Sequence, residues 1–171
     1  SRFIERNIIP DFIIVSGDIA FSGQIKEYKR AETFFKNLLT TTSVDLRHLF
    51  IVPGNHDVDR NIIKTSDLAS HAKSIYNNRE AVNRLLEKNR KERGIIFRRF
   101  HNYRKFIETL YGSDTPYRNK NDYYYVKKLK IADVCIHILG LNSCWLAGSD
   151  GDRCELVLGE YQVSSALADS T

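Results

Sequence analysis

The sequence predicts an α/β fold. Two short apolar runs, Phe12-Ile13-Ile14-Val15 and Leu49-Phe50-Ile51-Val52, read as strands buried on both faces. Between them Ile25, Tyr28, Ala31, Phe35, Leu38 and Leu39 recur at helical spacing and form one apolar stripe. β-pattern returns beyond residue 121, after a long polar stretch. Strand, helix and strand in that order make a parallel βαβ unit.

The elements follow in order. Residues 2–9 read as a helix end, broken at Pro10-Asp11. The first strand stops at Ser16-Gly17-Asp18, the helix closes at Thr40-Thr41-Thr42-Ser43, and Pro53-Gly54 stops the second strand. Residues 61–121 are polar, basic and mostly helical, an insertion or cap on the sheet. One helix is expected over 67–90. A second is expected over 94–111, with Ile96, Phe100, Tyr103, Ile107 and Leu110 on one face and Gly112 to Pro116 as its end. Tyr123 to Val126 and Val134 to Leu141 read as strands, with the run KKLK and Asp133 as the hairpin turn. Residues 148–153 read as a loop, and a helix begins at Glu160.

A chain of 171 residues holds one domain of ordinary size, and 42% apolar with 27% charged residues is usual for a soluble protein. No apolar run approaches the ~20 residues of a membrane span. The first residues are not a signal peptide. The three cysteines, Cys135, Cys144 and Cys154, match neither a disulfide framework nor a zinc pattern. They read as buried thiols in a reducing, cytoplasmic setting. The chain starts at Ser1 and has no Met. It is either a piece of a longer chain or a sequence from which modified methionines are missing. The net charge of +5 is uneven: residues 73–105 hold eleven Lys/Arg against three Glu. Such a segment either meets phosphates or is a solvated helical face.

Two strand-end loops carry the chemistry, Ser16-Gly17-Asp18-Ile19-Ala20 and Pro53-Gly54-Asn55-His56-Asp57. Ligands of open parallel sheets collect at the carboxyl ends of strands. Asp18, Asn55, His56 and Asp57 are hard oxygen or imidazole donors. Singly, Gly-Asp is a turn and Asn-His-Asp a helix N-cap cluster; together, after consecutive strands, they make a candidate site.

SGDIAFSG followed by VPGNHDVDR resembles the calcineurin-like metallophosphoesterases, and among them the cyclic-nucleotide-phosphodiesterase-like branch, whose bacterial members include fusions to signalling ATPase modules. The stretches Leu139 to Ser143 and Leu158 to Gln162 resemble the segment ahead of that family's lone His. The resemblance implies a layered β-sandwich flanked by helices, with 61–121 inserted and 1–171 as part of one domain. The family's D-x-H and G-H-x-H blocks do not occur in this sequence, and His48, His71, His101 and His137 do not match them. His137 reads as a core histidine, and His71 and His101 as surface or packing residues.

The implied activity is metal-dependent hydrolysis of a phosphomonoester or phosphodiester, the diester favoured, through a hydroxide bridging two divalent ions. Mn2+ suits the site best, then Fe or Zn. Asp18 resembles the bridging carboxylate and Asn55 a carbonyl ligand. His56 resembles the acid that protonates the leaving alkoxide. Asp57 either orients that imidazole or braces the loop. Arg60 either meets a substrate phosphate or pairs with Asp57 or Asp59. Asn142 either lines the pocket or closes a turn. Trp145 and Tyr123 to Tyr125 either stack on a base or pack the core. The expected partners are a cyclic nucleotide or other diester, nucleic acid along the basic insertion, and further fused domains; a membrane is not expected. The alternatives are a nuclease on the same fold and a non-catalytic protein-interaction module.

Overall fold

A computed structural model describes residues 9–64, 74–76, 78–88, 90–117, 123–148 and 156–170. His71, Cys154, most of the expected N-terminal helix, the first turns of the expected helix 67–90 and nearly all of the 148–153 loop lie outside the described residues.

Strands β1 (Ile13–Val15) and β2 (Leu49–Ile51) pair in parallel, with Ile13 opposite Leu49 and Val15 opposite Ile51. Helix α1 (Ile25–Thr42) makes the crossover. It starts where the Glu27 carboxylate accepts the Gln24 N–H at 2.8 Å. It ends at Ser43, which takes the left-handed conformation at φ 56°.

Alternation along β2 sets the layers. Leu49 and Ile51 join the large core with Tyr28 and Phe35 of α1, while Phe50 points the other way into a second cluster with Tyr125, Leu129 and Ile138. Those last three lie on the hairpin of β3 (Tyr125–Ile131) and β4 (Val134–Gly140). Helices therefore cover one face of the parallel pair and the hairpin the other, the mixed layering expected. β1 corrects the reading of a strand buried on both faces: Ile14 is 59% exposed.

Val52 N–H donates to Val15 O at 3.1 Å. The carbonyls of Leu49 and Ile51 therefore point to the opposite edge of β2. Three tyrosine hydroxyls meet them there. Tyr111 donates to Leu49 O at 2.8 Å; Tyr103 and Tyr125 donate to Ile51 O at 3.3 and 3.2 Å. Strand-edge carbonyls buried under aromatic rings need such donors.

The insertion holds α2 (Arg60–Lys64), α3 (Arg79–Glu87), α4 (Arg90–Phe97), a 3-10 turn at Arg98–Phe100 and α5 (His101–Tyr111). Two expected helices are thus divided. Asn78 is extended and caps α3 by accepting Ala81 N–H at 3.0 Å, so a continuous helix over 67–90 does not form. The expected helix over 94–111 starts earlier, at Arg90, and tightens at Arg98–Phe100. There Arg99, counted in the basic stretch, is 1% exposed and donates to the carbonyls of Ile96 at 3.0 Å and Ala147 at 2.6 Å. The segment is built into the core: Tyr28 stacks on Phe106 at 5.2 Å, and Phe97 lies parallel to buried Trp145 at 6.1 Å.

Three further expectations are corrected. The KKLK run lies inside β3, and Ala132-Asp133 makes the turn, with Ala132 at φ 51°. Lys128 and Lys130 fit that strand because they flank buried Leu129 on the opposite, exposed face. His137 and Cys135 are exposed on β4 rather than buried, while Cys144 is buried. Of the two readings given for them, Trp145, Tyr123 and Tyr125 follow the second and pack the core. Helix α6 (Glu160–Ser170) packs against α3 and the hairpin, with Arg79 paired to Glu160. No helix among the described residues is long and apolar enough to cross a membrane.

Candidate metal and active site

The two predicted loops meet at the carboxyl ends of β1 and β2. Gly17 sits at φ 114°, and a Cβ on it would lie 2.6 Å from Gly54 Cα. A Cβ on Gly54 would lie 2.2 Å from Asp18 Oδ1 and 2.4 Å from Asp18 N. No side chain fits at either position, so the loops press backbone to backbone. Asp18 itself is held at φ 55°, in the left-handed region that aspartate enters more readily than most residues. Its carboxylate is exposed, and Oδ1 accepts the His56 N–H at 3.2 Å.

Asn55, His56 and Asp57 form one 3-10 turn. Asp57 is fully buried. It accepts Ile19 N–H at 3.2 Å, Ala20 N–H at 2.9 Å, Gly54 N–H at 2.8 Å and the Tyr28 hydroxyl at 3.0 Å. Burial pushes its carboxyl above the usual aspartate value, against the downward pull of those hydrogen bonds. Of its two expected roles, bracing the loops is the one these contacts serve. The imidazole has a different partner: His56 Nδ1 lies 2.8 Å from the Phe21 carbonyl. A carbonyl only accepts, so Nδ1 carries the hydrogen, and Nε2 is the nitrogen left to exchange a proton. The Phe21 ring, 77% exposed, leans on the imidazole at 5.5 Å.

That carbonyl is held in turn. Glu27 accepts the Ser22 N–H at 3.1 Å and the Ser22 hydroxyl at 3.1 Å besides Gln24 N–H. Asp59 accepts from Gln24 Nε2, Asn61 N–H and Asn102 Nδ2, each at 3.0 Å, and Asn102 also donates to Gly23 O at 2.9 Å. The insertion thus ties the second loop to the first. Sequence reasoning missed Phe21, Glu27, Tyr28, Asp59 and Asn102. The one available signal was Glu27 three residues after Gln24, a helix-start pattern.

Arg60 is half-buried at the start of α2. Asn142 is buried; its Oδ1 accepts Cys144 N–H at 3.0 Å, closing a turn, and its N–H donates to Gln162 Oε1 at 2.6 Å. Cys144 Sγ in turn lies 3.3 Å from Pro53 O. Burial pushes that thiol up, so it stays protonated. An open groove of about 560 Å3 runs beside Asp18, lined among others by Phe21, Arg30 and Phe34.

The calcineurin-like phosphoesterase family model matches residues 2–153. The chain belongs to this family. The family hydrolyses phosphoesters with metal ions, generally two divalent ones. The chain is also similar to an uncharacterized metallophosphoesterase-like protein, YydB, of Bacillus subtilis (strain 168), at 23% identity over 157 residues. That match covers 92% of this chain and 30% of the relative's length. No solved structure gives a significant match.

The donors present fit part of such a metal site. Asp18 offers an exposed carboxylate and Asn55 a carbonyl oxygen on the adjoining turn, both suited to divalent ions. Among the described residues no three His, Cys, Asp or Glu gather as a metal cluster. Four- to six-coordinate ions need more ligands than these two.

Proposed function

We propose that the chain forms part of a metal-dependent phosphodiesterase site, with Asp18 and Asn55 as metal ligands and His56 as the proton donor. The observation that carries this is the Asp18–His56 hydrogen bond across two loops pressed glycine to glycine. It ties an exposed carboxylate to the backbone N–H of His56, whose imidazole is held through Nδ1 by the Phe21 carbonyl, at the carboxyl ends of two parallel strands.

A pair of divalent ions, Mn2+ first and Fe or Zn next, supplies charge neutralisation and an activated nucleophile when bound. His56 Nε2 delivers a proton to the departing alkoxide, while the Phe21 carbonyl holds the ring by Nδ1. Asp57 keeps both loops in register from below. Arg60 steadies a non-bridging phosphoryl oxygen. Asn142, through Cys144 and Pro53, supports the second loop from behind. The diester is a cyclic nucleotide or a longer nucleotide ester, further ligands come from outside the described residues, and the enzyme works in the cytoplasm.

The test is hydrolysis of bis(p-nitrophenyl) phosphate together with elemental analysis of the Mn2+-treated protein. Asp18→Ala is expected to remove bound metal and activity together. Metal retained at the wild-type level in that variant would remove Asp18 from the ligand set.

A further inference from the structure

Phe21 lies between two residues whose backbone N–H groups are held by carboxylates. Ala20 N–H donates to Asp57 at 2.9 Å, and Ser22 N–H donates to Glu27 at 3.1 Å. The main chain at Phe21 is therefore fixed from both sides. Its carbonyl, 2.8 Å from His56 Nδ1, is a group that any residue at this position would supply.

The side chain is the specific choice. Phe21 is 77% exposed, so its ring adds little to the core. An exposed apolar residue alone is ordinary. This one meets an imidazole: the ring centres of Phe21 and His56 are 5.5 Å apart, with the planes inclined by 31°. That separation is within the range of attractive aromatic pairs.

His56 needs such a contact. It is half-buried on the 3-10 turn Asn55–Asp57, and its backbone N–H is tied to Asp18 Oδ1. The backbone bond fixes where the side chain starts but not its rotation about χ1 and χ2. The Nδ1 bond to one carbonyl competes with water on nearly equal terms, so it does not alone hold the ring in one rotamer.

We propose that the Phe21 side chain is a positioning residue for His56. Its ring keeps the imidazole in the rotamer that sets Nδ1–H against the Phe21 carbonyl and turns Nε2 away from it. The kinetic consequence rests on the phosphodiesterase reading; the conformation does not.

The test is long-range nitrogen–proton NMR of the histidine-labelled chain with EDTA present, at a pH where imidazole is neutral, which reads the share of each tautomer. Wild-type His56 is expected to carry its hydrogen on Nδ1. Phe21→Ala is expected to melt with wild type, yet to lose about threefold to tenfold of that preference and drift toward the Nε2–H form. Phe21→Tyr keeps the ring and is expected to keep the wild-type tautomer. Wild-type tautomer shares in Phe21→Ala, or a Phe21→Tyr that behaves as Phe21→Ala, would overturn the proposal. With Mn2+ restored, Phe21→Ala is expected to lower kcat about threefold to tenfold on 2′,3′-cyclic AMP, whose leaving group needs a proton. KM, and hydrolysis of bis(p-nitrophenyl) phosphate, are expected to stay near wild type. A raised KM on both substrates with kcat unchanged would assign the ring to substrate binding and remove its positioning role. No hydrolysis of either diester by wild type, with the tautomer difference intact, would sink the phosphodiesterase reading and leave His56 positioned by Phe21.

Discussion

Gly17 and Gly54 touch through their backbones, so closely that a Cβ on Gly17 would stand 2.6 Å from Gly54 Cα. Two loops far apart in sequence are thereby held at one separation. Asp18 on the first and His56 on the second share a hydrogen bond of 3.2 Å because of it.

Alanine at either glycine forces the loops apart. Gly17→Ala also places a side chain at φ 114°. Each variant is expected to lose more than about 2 kcal/mol of stability in urea unfolding. Gly17→Ala unfolding at the wild-type midpoint would show that the loops can separate without penalty.

Asp57→Asn replaces an acceptor-only group by an amide whose NH2 must face N–H donors. The cost is about 3 kcal/mol, since buried groups lose their partners. Tyr28→Phe removes one donor to the same carboxylate and costs about 1 kcal/mol. A fully stable Asp57→Asn that loses only turnover would restore the other role, orienting His56.

His56→Ala is expected to lower kcat about 10²–10⁴-fold for diesters with alkyl leaving groups. With p-nitrophenolate, which departs without a proton, the loss is far smaller. Equal losses on both substrates would mean that His56 does not protonate the leaving group.

Glu27 contributes to the acid side of the stability profile. Burial raises its pKa, but hydrogen bonds from Gln24, Ser22 and Phe21 outweigh that and hold it below the ordinary glutamate value. A depressed carboxyl stabilises the fold above its unfolded pKa and loses that contribution as pH falls through its folded pKa. Glu27→Gln should therefore melt lower than wild type at neutral pH, with the two melting curves converging below about pH 4.5. Parallel melting temperatures across that range would remove Glu27 from the acid limb.

The βαβ unit was legible because its strands are β-branched runs and its helix carries one apolar stripe. The loops were legible because glycine and hard donors follow each strand. Asp57's partners were not, since Ile19 and Ala20 offer backbone N–H groups that any residue carries. Nor was the partner of His56, a carbonyl whose position depends on how Glu27 closes the preceding turn. The basic count of the insertion hid Arg99, because charge alone does not say that a guanidinium will find two carbonyls in the core. Ile14 misled in the opposite sense, as an apolar residue facing outward.

One carboxylate holds the amides of Ile19, Ala20 and Gly54, two from the first loop and one from the second. None can expose its hydrogen to solvent while Asp57 stays in place. In native-state hydrogen exchange the three amides should therefore trade for deuterium through a shared opening, at a common free energy. Both loops then behave as a single cooperative unit of local unfolding.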